Sequence, residues 1–342
     1  MNQEFITALS EIAEDKNISK DSLLETIEFA LITAYKKNYD HAQNVSVNID
    51  KETGEIKVYQ QKQVVEEVED VNLHISTDEA QKISGGYSLG DIVNIEVTPR
   101  TFGRIAAQTA KQVVVQRIKE AERDKVFNIY RDRENTLVTG LITRSEARFV
   151  SVEIGGNTEA ILPVNEQMAG ETYKAGSRMK FYVAEVKLSG NDPQIILSRT
   201  HPGLVKRLFE QEVPECTEGV VEIKSISREA GSRSKISVYS ENENVDPVGA
   251  CVGPRGARVQ AVCDELGGEK IDIIKYSEDP AAFISAALSP SDVVSCTVNE
   301  EEHSASVLVP NGQLSLAIGK EGQNARLAAR LTGWKIDIKP EE

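Results

Sequence analysis

Aromatic residues make up only 5% of this 342-residue chain, with a single tryptophan, so its cores must be assembled mainly from Ile, Val, Leu and Ala. Cysteine is scarce too. Cys216, Cys251, Cys263 and Cys296 stand without CxxC spacing or neighbouring histidines, which argues against a zinc site or disulfide framework and for reduced thiols. The four histidines, His41, His74, His201 and His303, are scattered, with no HExxH pair and no adjacent nucleophile pattern. There is no GxxxxGKS or GxxxxGKT loop for a nucleoside triphosphate. No run approaches the roughly 20 apolar residues of a membrane helix. The start, Met1-Asn2-Gln3-Glu4-Phe5, lacks the basic residues and apolar block of a signal peptide. These absences lead to the expectation of a cytoplasmic protein with no membrane association, no catalytic residues, no metal and no cofactor.

What is present is acid. The net charge of -15 opposes indiscriminate binding to a polyanion, because phosphate attraction normally needs a basic surface. The charge is uneven, however. Residues 131–200 hold 9 basic and 9 acidic residues, whereas residues 1–130 hold 15 and 22. An anion-binding surface is therefore expected to be local, and least opposed in the middle segment.

The C-terminal third repeats itself. The first copy reads as helix 202–213, strands near 217–227 and 235–240, helix 247–252, the loop Gly253-Pro254-Arg255-Gly256, a helix to 266 and the strand Lys270-Ile271-Asp272-Ile273. The second reads as helix 280–288, strands near 293–298 and 305–309, helix 313–318, the loop Gly319-Lys320-Glu321-Gly322, a helix to 332 and the strand Lys335-Ile336-Asp337-Ile338. One order with one ending marks a duplicated module. Ile236 and Val238 alternate with Ser237, and Val307 and Val309 with Ser306 and Leu308, the period of a half-buried strand. The helix after the second loop is expected to bury Ala325, Ala328, Ala329 and Leu331. Gly267-Gly268 and Gly333 suit helix C-termini.

Residues 131–200 read as all-β, with strands at 137–143, 149–154, 159–162, 179–186 and 194–197. Gly155-Gly156-Asn157 and Ser189-Gly190-Asn191 supply turns between them. Five short strands in this length suit an OB barrel. Residues 1–130 read as a mixed α/β domain. A helix capped by Ser19 buries Leu23, Ile27, Leu31 and Ala34, and strands follow at 45–49, 56–65 and 92–97. A long helix after Pro99 turns Ala106, Ala110, Val113, Val114 and Ile118 inward and Arg104, Gln108 and Lys111 outward. The expected fold class is multidomain α+β, divided as 1–130, 131–200, 201–279 and 280–342.

Each glycine pair removes Cβ atoms, so a phosphodiester can approach the backbone, and each loop opens a helix whose free N–H groups suit an anion. This is the GxxG arrangement of KH modules, which clamps about four nucleotides of backbone. Arg255 and Lys320 add cations, with Arg258 and Arg326 on the following helices. Because Glu321 offsets Lys320, the first loop is expected to be electrostatically stronger, and Arg255→Asp to weaken RNA binding more than Lys320→Asp. On the barrel, Arg144, Arg148 and Phe149 form a charge-plus-stacking candidate, with Phe149 equally suited to the barrel core.

Residues 98–112 (TPRTFGRIAAQTAKQ), Ile161-Leu162-Pro163 with Glu166-Gln167, residues 197–202 (LSRTHP), 246–253 (DPVGACVG) and 317–328 (AIGKEGQNARLA) resemble the NusA family of bacterial transcription elongation and termination factors, over essentially the whole chain. The resemblance implies an OB barrel and two tandem type II KH domains behind an N-terminal domain that docks on core RNA polymerase near the RNA exit channel. It implies binding of nascent single-stranded RNA, modulation of pausing, intrinsic termination and antitermination, and assembly with other Nus factors. Lys36, Lys37, Arg100, Arg104 and Lys111 are the candidates for the face toward polymerase or hairpin RNA, Arg104 foremost. Some members carry acidic repeats after the second KH module. With Glu342 a few residues past the last strand, a short form without self-masking is expected, and a monomer is the default.

Two rival classes are weaker. Polynucleotide phosphorylase joins KH and OB modules in reverse order, behind a catalytic core missing here. A KH/OB protein of the translation apparatus remains compatible with the RNA-binding half, and residues 1–130 discriminate against it.

Overall fold

The computed structural model describes residues 3–39, 44–156, 158–190 and 192–341. His41 and the expected turn residues Asn157 and Asn191 lie outside that set. The chain divides into two compact units, Met1–Val126 and Phe127–Glu342. Among the described residues no helix is long and apolar enough to cross a membrane.

The first unit opens with α1 (Gln3–Lys16) and α2 (Lys20–Asn38), followed by β1 (Val45–Ile49), β2 (Ile56–Val65), β3 (His74–Ser76), α3 (Thr77–Ile83) and β4 (Ile92–Glu96). The long helix α4 (Phe102–Arg131) comes next. β2 is the centre of the sheet. It pairs antiparallel with β1 and β4 and parallel with β3. Ser19 caps α2 as expected, accepting from Ser22 N–H at 3.4 Å. The buried stripe of α2 ends on Tyr35 rather than Ala34, because that aromatic meets Phe102 edge-on at 5.4 Å. Phe102 itself is fully buried and begins the inward face of α4, ahead of Ala106, Ala110 and Val114. α1, β3 and α3 are additional to the elements expected from sequence. β3 is three residues long and α3 seven, too short for periodicity to register.

The second unit begins with a closed five-stranded barrel: β5 (Leu137–Ser145), β6 (Phe149–Glu153), β7 (Glu159–Pro163), β8 (Arg178–Ser189) and β9 (Asp192–Ser198), in the order β5-β6-β7-β9-β8. Val138, Ile142, Val150, Val152, Leu162, Phe181, Val183, Ile195 and Leu197 fill it. All five expected strands are there.

The first repeat follows as α5 (Pro202–Glu212), α6 (Pro214–Thr217), β10 (Glu222–Glu229), β11 (Arg233–Tyr239), α7 (Pro247–Val252), α8 (Ala257–Glu265) and β12 (Lys270–Lys275). The second is α9 (Pro280–Ala287), β13 (Ser295–Asn299), β14 (Ser304–Val309), α10 (Leu314–Ile318), α11 (Gln323–Thr332) and β15 (Lys335–Pro340). Each copy is a three-stranded sheet whose first pair is antiparallel and whose second is parallel, the pattern of a type II KH module. The strand expected from Thr217 begins only at Glu222, since Pro214 starts a helical turn there.

One expected alternation fails. In β14, Val307 and Val309 are buried between partly exposed neighbours, but in β11 every residue from Ser234 to Val238 is buried. The reason is α11, which packs across β10 and β11 and covers the second face of the first sheet. Ser225 Oγ donates to Leu331 O at 2.9 Å across that contact. Lys235, fully buried, donates to Asp272 Oδ2 at 3.0 Å and to Ser289 O at 2.8 Å. Burial pushes the Lys235 ammonium below its ordinary range while Asp272 opposes that shift. Burial pushes Asp272 up, but Arg233 and Lys235 outweigh it and hold the carboxyl below its ordinary value.

The barrel is fastened to the first repeat by two buried arginines. Arg199 donates from Nε to Glu171 Oε2 at 3.0 Å, from Nη1 to Lys180 O and from Nη2 to Glu265 O, both at 2.8 Å. Arg228 pairs with Glu269 at 2.9 Å, both side chains at most 1% exposed, and reaches across to the barrel segment by donating from Nη2 to Met168 Sδ at 3.7 Å, while its Nη1 donates to His201 O at 2.9 Å.

His201 stands at this seam. It caps α5 by accepting from Gly203 N–H at Nδ1, 3.0 Å, and stacks on Tyr182 at 4.4 Å. Burial holds its pKa below the ordinary value of 6.5, with Arg228 acting in the same direction and Glu166 opposing. Only the neutral ring can accept the cap bond. The folded pKa is the lower one, so the stabilisation is complete above 6.5 and is lost progressively as pH falls from there through the lower folded pKa. A His201→Asn variant keeps a cap acceptor that does not titrate. It is expected to lose Tm less steeply than wild type between about pH 7.5 and about pH 5.5. Equal slopes would refute this role.

Candidate nucleic-acid interface

The two glycine loops have one geometry. Gly253 adopts φ 74°, ψ 175° and Gly319 φ 76°, ψ 171°. The third residues, Arg255 (φ 55°, ψ 25°) and Glu321 (φ 53°, ψ 25°), are both left-handed. The fourth, Gly256 and Gly322, are left-handed as well, at φ 79° and 77°. In each loop the last glycine donates its N–H to the carbonyl of the first at 3.1 Å. Each loop then runs directly into a helix, α8 or α11, whose first N–H groups face the turn.

The first glycine of each pair has a packing reason as well as a conformational one. A Cβ on Gly253 would lie 2.6 Å from Arg258 Cγ, and one on Gly319 would lie 2.8 Å from Asn324 Cβ and backbone N. The second glycines meet no such obstacle, so φ alone calls for them.

Because the loops superimpose, their charges compare position by position. The second positions are Pro254 and Lys320 and the third are Arg255 and Glu321, all four exposed. The first loop has a cation where the second has a carboxylate. It also lacks the N–H that proline cannot supply, so its anion affinity rests more on the Arg255 side chain. Beside the second loop Leu316 and Ile318 are 46% and 37% exposed, an apolar flank suited to bases. Leu316, Lys320 and Asn324 also line a cavity of about 370 Å³ that reaches Ser232, Arg233 and Lys270 of the first repeat.

The two helix cations stand behind the loops. Arg258 donates from Nη1 to Glu215 Oε2 at 3.0 Å and to Ala250 O at 2.7 Å, holding α7 in front of the first loop. Arg326 donates to Glu229 Oε1 at 3.2 and 3.1 Å and to the Glu321 carbonyl, tying the second loop to the first repeat. Gln323 joins it, donating to Glu229 Oε2 and to Ser232 Oγ, both at 2.8 Å. Gln323, Glu229 and Asn324 were not singled out by sequence. Asn324 is 2% exposed and donates to Leu288 O and Ala317 O, both at 3.0 Å. It takes the place in the second repeat that Arg258 has in the first, which the aligned loops alone could have signalled. The buried stripe of α11 is accordingly Asn324, Leu327, Ala328 and Leu331, not the alanine-led stripe expected.

On the barrel, Arg144 is exposed and 3.3 Å from Glu146. Arg148 is exposed and Phe149 half-buried, opposite Pro163 of β7. In the first unit Lys36, Lys37, Arg100, Arg104 and Lys111 are all exposed. Tyr39 Oη lies 3.2 Å from Thr101 Oγ1, which brings the end of α2, with Lys36 and Lys37, beside the start of α4, with Arg100 and Arg104. Lys111 lies two turns further along α4, roughly 10 Å from Arg104. Among the described residues no group of three or more His, Cys, Asp or Glu side chains could hold a metal ion.

A barrel joined to two KH modules with matched glycine loops defines a multidomain RNA-binding protein. Three family models match the chain: NusA N-terminal domain over residues 4–124, NusA-like first KH domain over 199–276, and NusA-like second KH domain over 280–342. The chain is 57% identical over 341 residues to the transcription termination/antitermination protein NusA of Halalkalibacterium halodurans, covering 100% of this chain and 89% of the relative. It is equally identical to that of Bacillus subtilis, covering 100% and 92%. The solution structure of the N-terminal domain of NusA from B. subtilis is 56% identical, covering 36% of this chain and 99% of that one, with a TM-score of 0.33. The chain belongs to the NusA family of transcription termination/antitermination proteins.

Proposed function

We propose that this protein binds core RNA polymerase near the RNA exit channel through residues 1–130 and holds the emerging single-stranded transcript on residues 131–200, 201–279 and 280–342. In that position it modulates pausing, intrinsic termination and, with other Nus factors, antitermination. The observation that carries the RNA half is the pair of conformationally identical glycine loops, fused by Arg326 and Gln323 onto Glu229. Two weak phosphate clamps on one platform act as a strong one, and anchoring to polymerase raises their effective concentration at the transcript. Arg255 and Lys320 contact phosphate directly in this reading. Arg258 and Arg326 hold the loops, and Arg148 with Phe149 offers a further contact on the barrel. The family match favours transcription over a place in the translation apparatus.

The polymerase half is tested at Arg104, exposed beside the α2 end that carries Lys36 and Lys37. In the full chain, Arg104→Ala is expected to reduce pause stimulation in a single-round transcription assay severalfold, while affinity for free single-stranded RNA is unchanged. Unaltered pausing would exclude Arg104 from that face.

A further inference from the structure

Two thiols stand together at the base of the first loop. Cys216, in α6, and Cys251, in α7, have sulfurs 3.9 Å apart. Cys251 is fully buried, two residues before Gly253, and Cys216 is partly exposed. Arg258 spans the same two segments, since its Nη1 reaches Glu215, next to Cys216, and the Ala250 carbonyl, next to Cys251. The sulfurs and the guanidinium therefore act on one small unit, the contact between α6 and α7 just ahead of the loop. Cys263 and Cys296 have no thiol neighbour of this kind.

We propose that Cys216 and Cys251 form a modification site, a dithiol that peroxide converts to a disulfide, weakening the hold of the first loop on RNA. The consequence for RNA rests on the function proposed above, whereas the modification itself does not. Cys216 is the sulfur an oxidant can reach. The hydrogen bond from the Cys251 S–H lowers the Cys216 pKa, against burial and against Glu210 and Glu215, while the same contact and burial raise Cys251. The Cys216 thiolate attacks one peroxide oxygen and the O–O bond breaks. Cys216 becomes a sulfenic acid and the other oxygen leaves as water. The Cys251 sulfur then attacks the Cys216 sulfur, the S–S bond forms, the S–O bond breaks, and the hydroxyl departs as water with the Cys251 proton. Two thiols are oxidised and one peroxide is reduced to two waters.

A disulfide needs its sulfurs about 2.0 Å apart, so bond formation draws the two sulfurs together by roughly 2 Å, pulling on α6 and α7. That movement strains the Arg258 ties and displaces the Gly253 end of the loop, where the closest atom to any added Cβ is already Arg258 Cγ at 2.6 Å.

The test treats the full chain with hydrogen peroxide, maps its peptides by mass spectrometry, and measures affinity for a fluorescent single-stranded RNA before and after. The expected result is a linked 216–251 peptide pair lighter by two hydrogens, and RNA affinity reduced about fivefold, roughly 1 kcal/mol. Dithiothreitol is expected to restore both, and Cys216→Ser to abolish both. Peroxide treatment that leaves the two thiols unlinked, or oxidises Cys216 alone, overturns the site. A linked protein that binds RNA as tightly as the reduced one overturns the effect on the loop. Failure of the reduced chain to bind RNA instead refutes the proposed function and the RNA effect with it, while the peptide map still decides the modification.

Discussion

Replacing Glu269 with alanine is expected to destabilise residues 127–342 by roughly 3–5 kcal/mol, the cost of leaving a buried guanidinium without its counter-charge. Glu269 is 1% exposed and accepts from Arg228 Nε and Nη2, from Gly231 N–H at 2.9 Å and from Ser234 Oγ at 2.6 Å. Its removal strands Arg228, whose side chain is 1% exposed, and leaves the buried Ser234 hydroxyl without its acceptor. Arg228→Met combined with Glu269→Leu removes both charges and is expected to recover most of the loss, because a buried ion pair is often replaceable by apolar side chains. Urea denaturation of the three proteins decides the matter. A Glu269→Ala variant within about 0.5 kcal/mol of wild type would mean that water reaches and solvates Arg228.

The second large effect lies in the loops. Gly253→Val and Gly319→Val are each expected to cost about 1–3 kcal/mol of backbone strain and to reduce single-stranded RNA affinity about tenfold or more, the equivalent of ~1.4 kcal/mol. At φ near 75° with ψ near 175° only glycine is comfortable. Gly319→Val should be the more damaging substitution, because its Cβ would meet the Asn324 backbone nitrogen, which cannot rotate away, whereas Gly253 meets a side chain. Gly256→Ala and Gly322→Ala, whose added Cβ atoms would meet nothing or only ordinary contact with Arg326 Nη1 at 3.5 Å, should cost less in an ordinary left-handed turn, about 1–2 kcal/mol. Filter binding and thermal unfolding of the four variants give the ranking. A reversed order, with the fourth glycine dominant, would show that bound phosphate rather than loop geometry selects the glycines.

Much of this molecule could be read in advance because its signals are local. The duplicated order of elements, the two loops, the five barrel strands, the Ser19 cap and the outward face of α4 each follow from turn chemistry or periodicity within a few residues. Family resemblance added the link to polymerase and transcription. The candidate site was legible only as a proposed set of glycines and cations, and the bonds that divide those cations between loop and scaffold were not. Arg255 and Arg258 are three residues apart with the same charge, yet one is exposed on the loop and the other is spent on Glu215 and Ala250. Nothing in their spacing distinguishes them, because the carboxylate that captures Arg258 lies 43 residues away.

The amino-acid sequence by itself determined the modules: the order of their main helices and strands, and that two glycine loops of one kind recur. Tertiary structure alone decided how those modules constrain one another. A period-two pattern reports one covered face, so it could not show that α11 covers the other face of the first sheet and buries Lys235 and Ser237 there. It likewise could not show that Arg326, a cation beside one glycine loop, spends its charge on Glu229 of the preceding module. The physical reason is range. Backbone preference and side-chain periodicity act over a few residues, whereas desolvation and charge pairing depend on which surfaces meet, and here those surfaces come from segments some hundred residues apart.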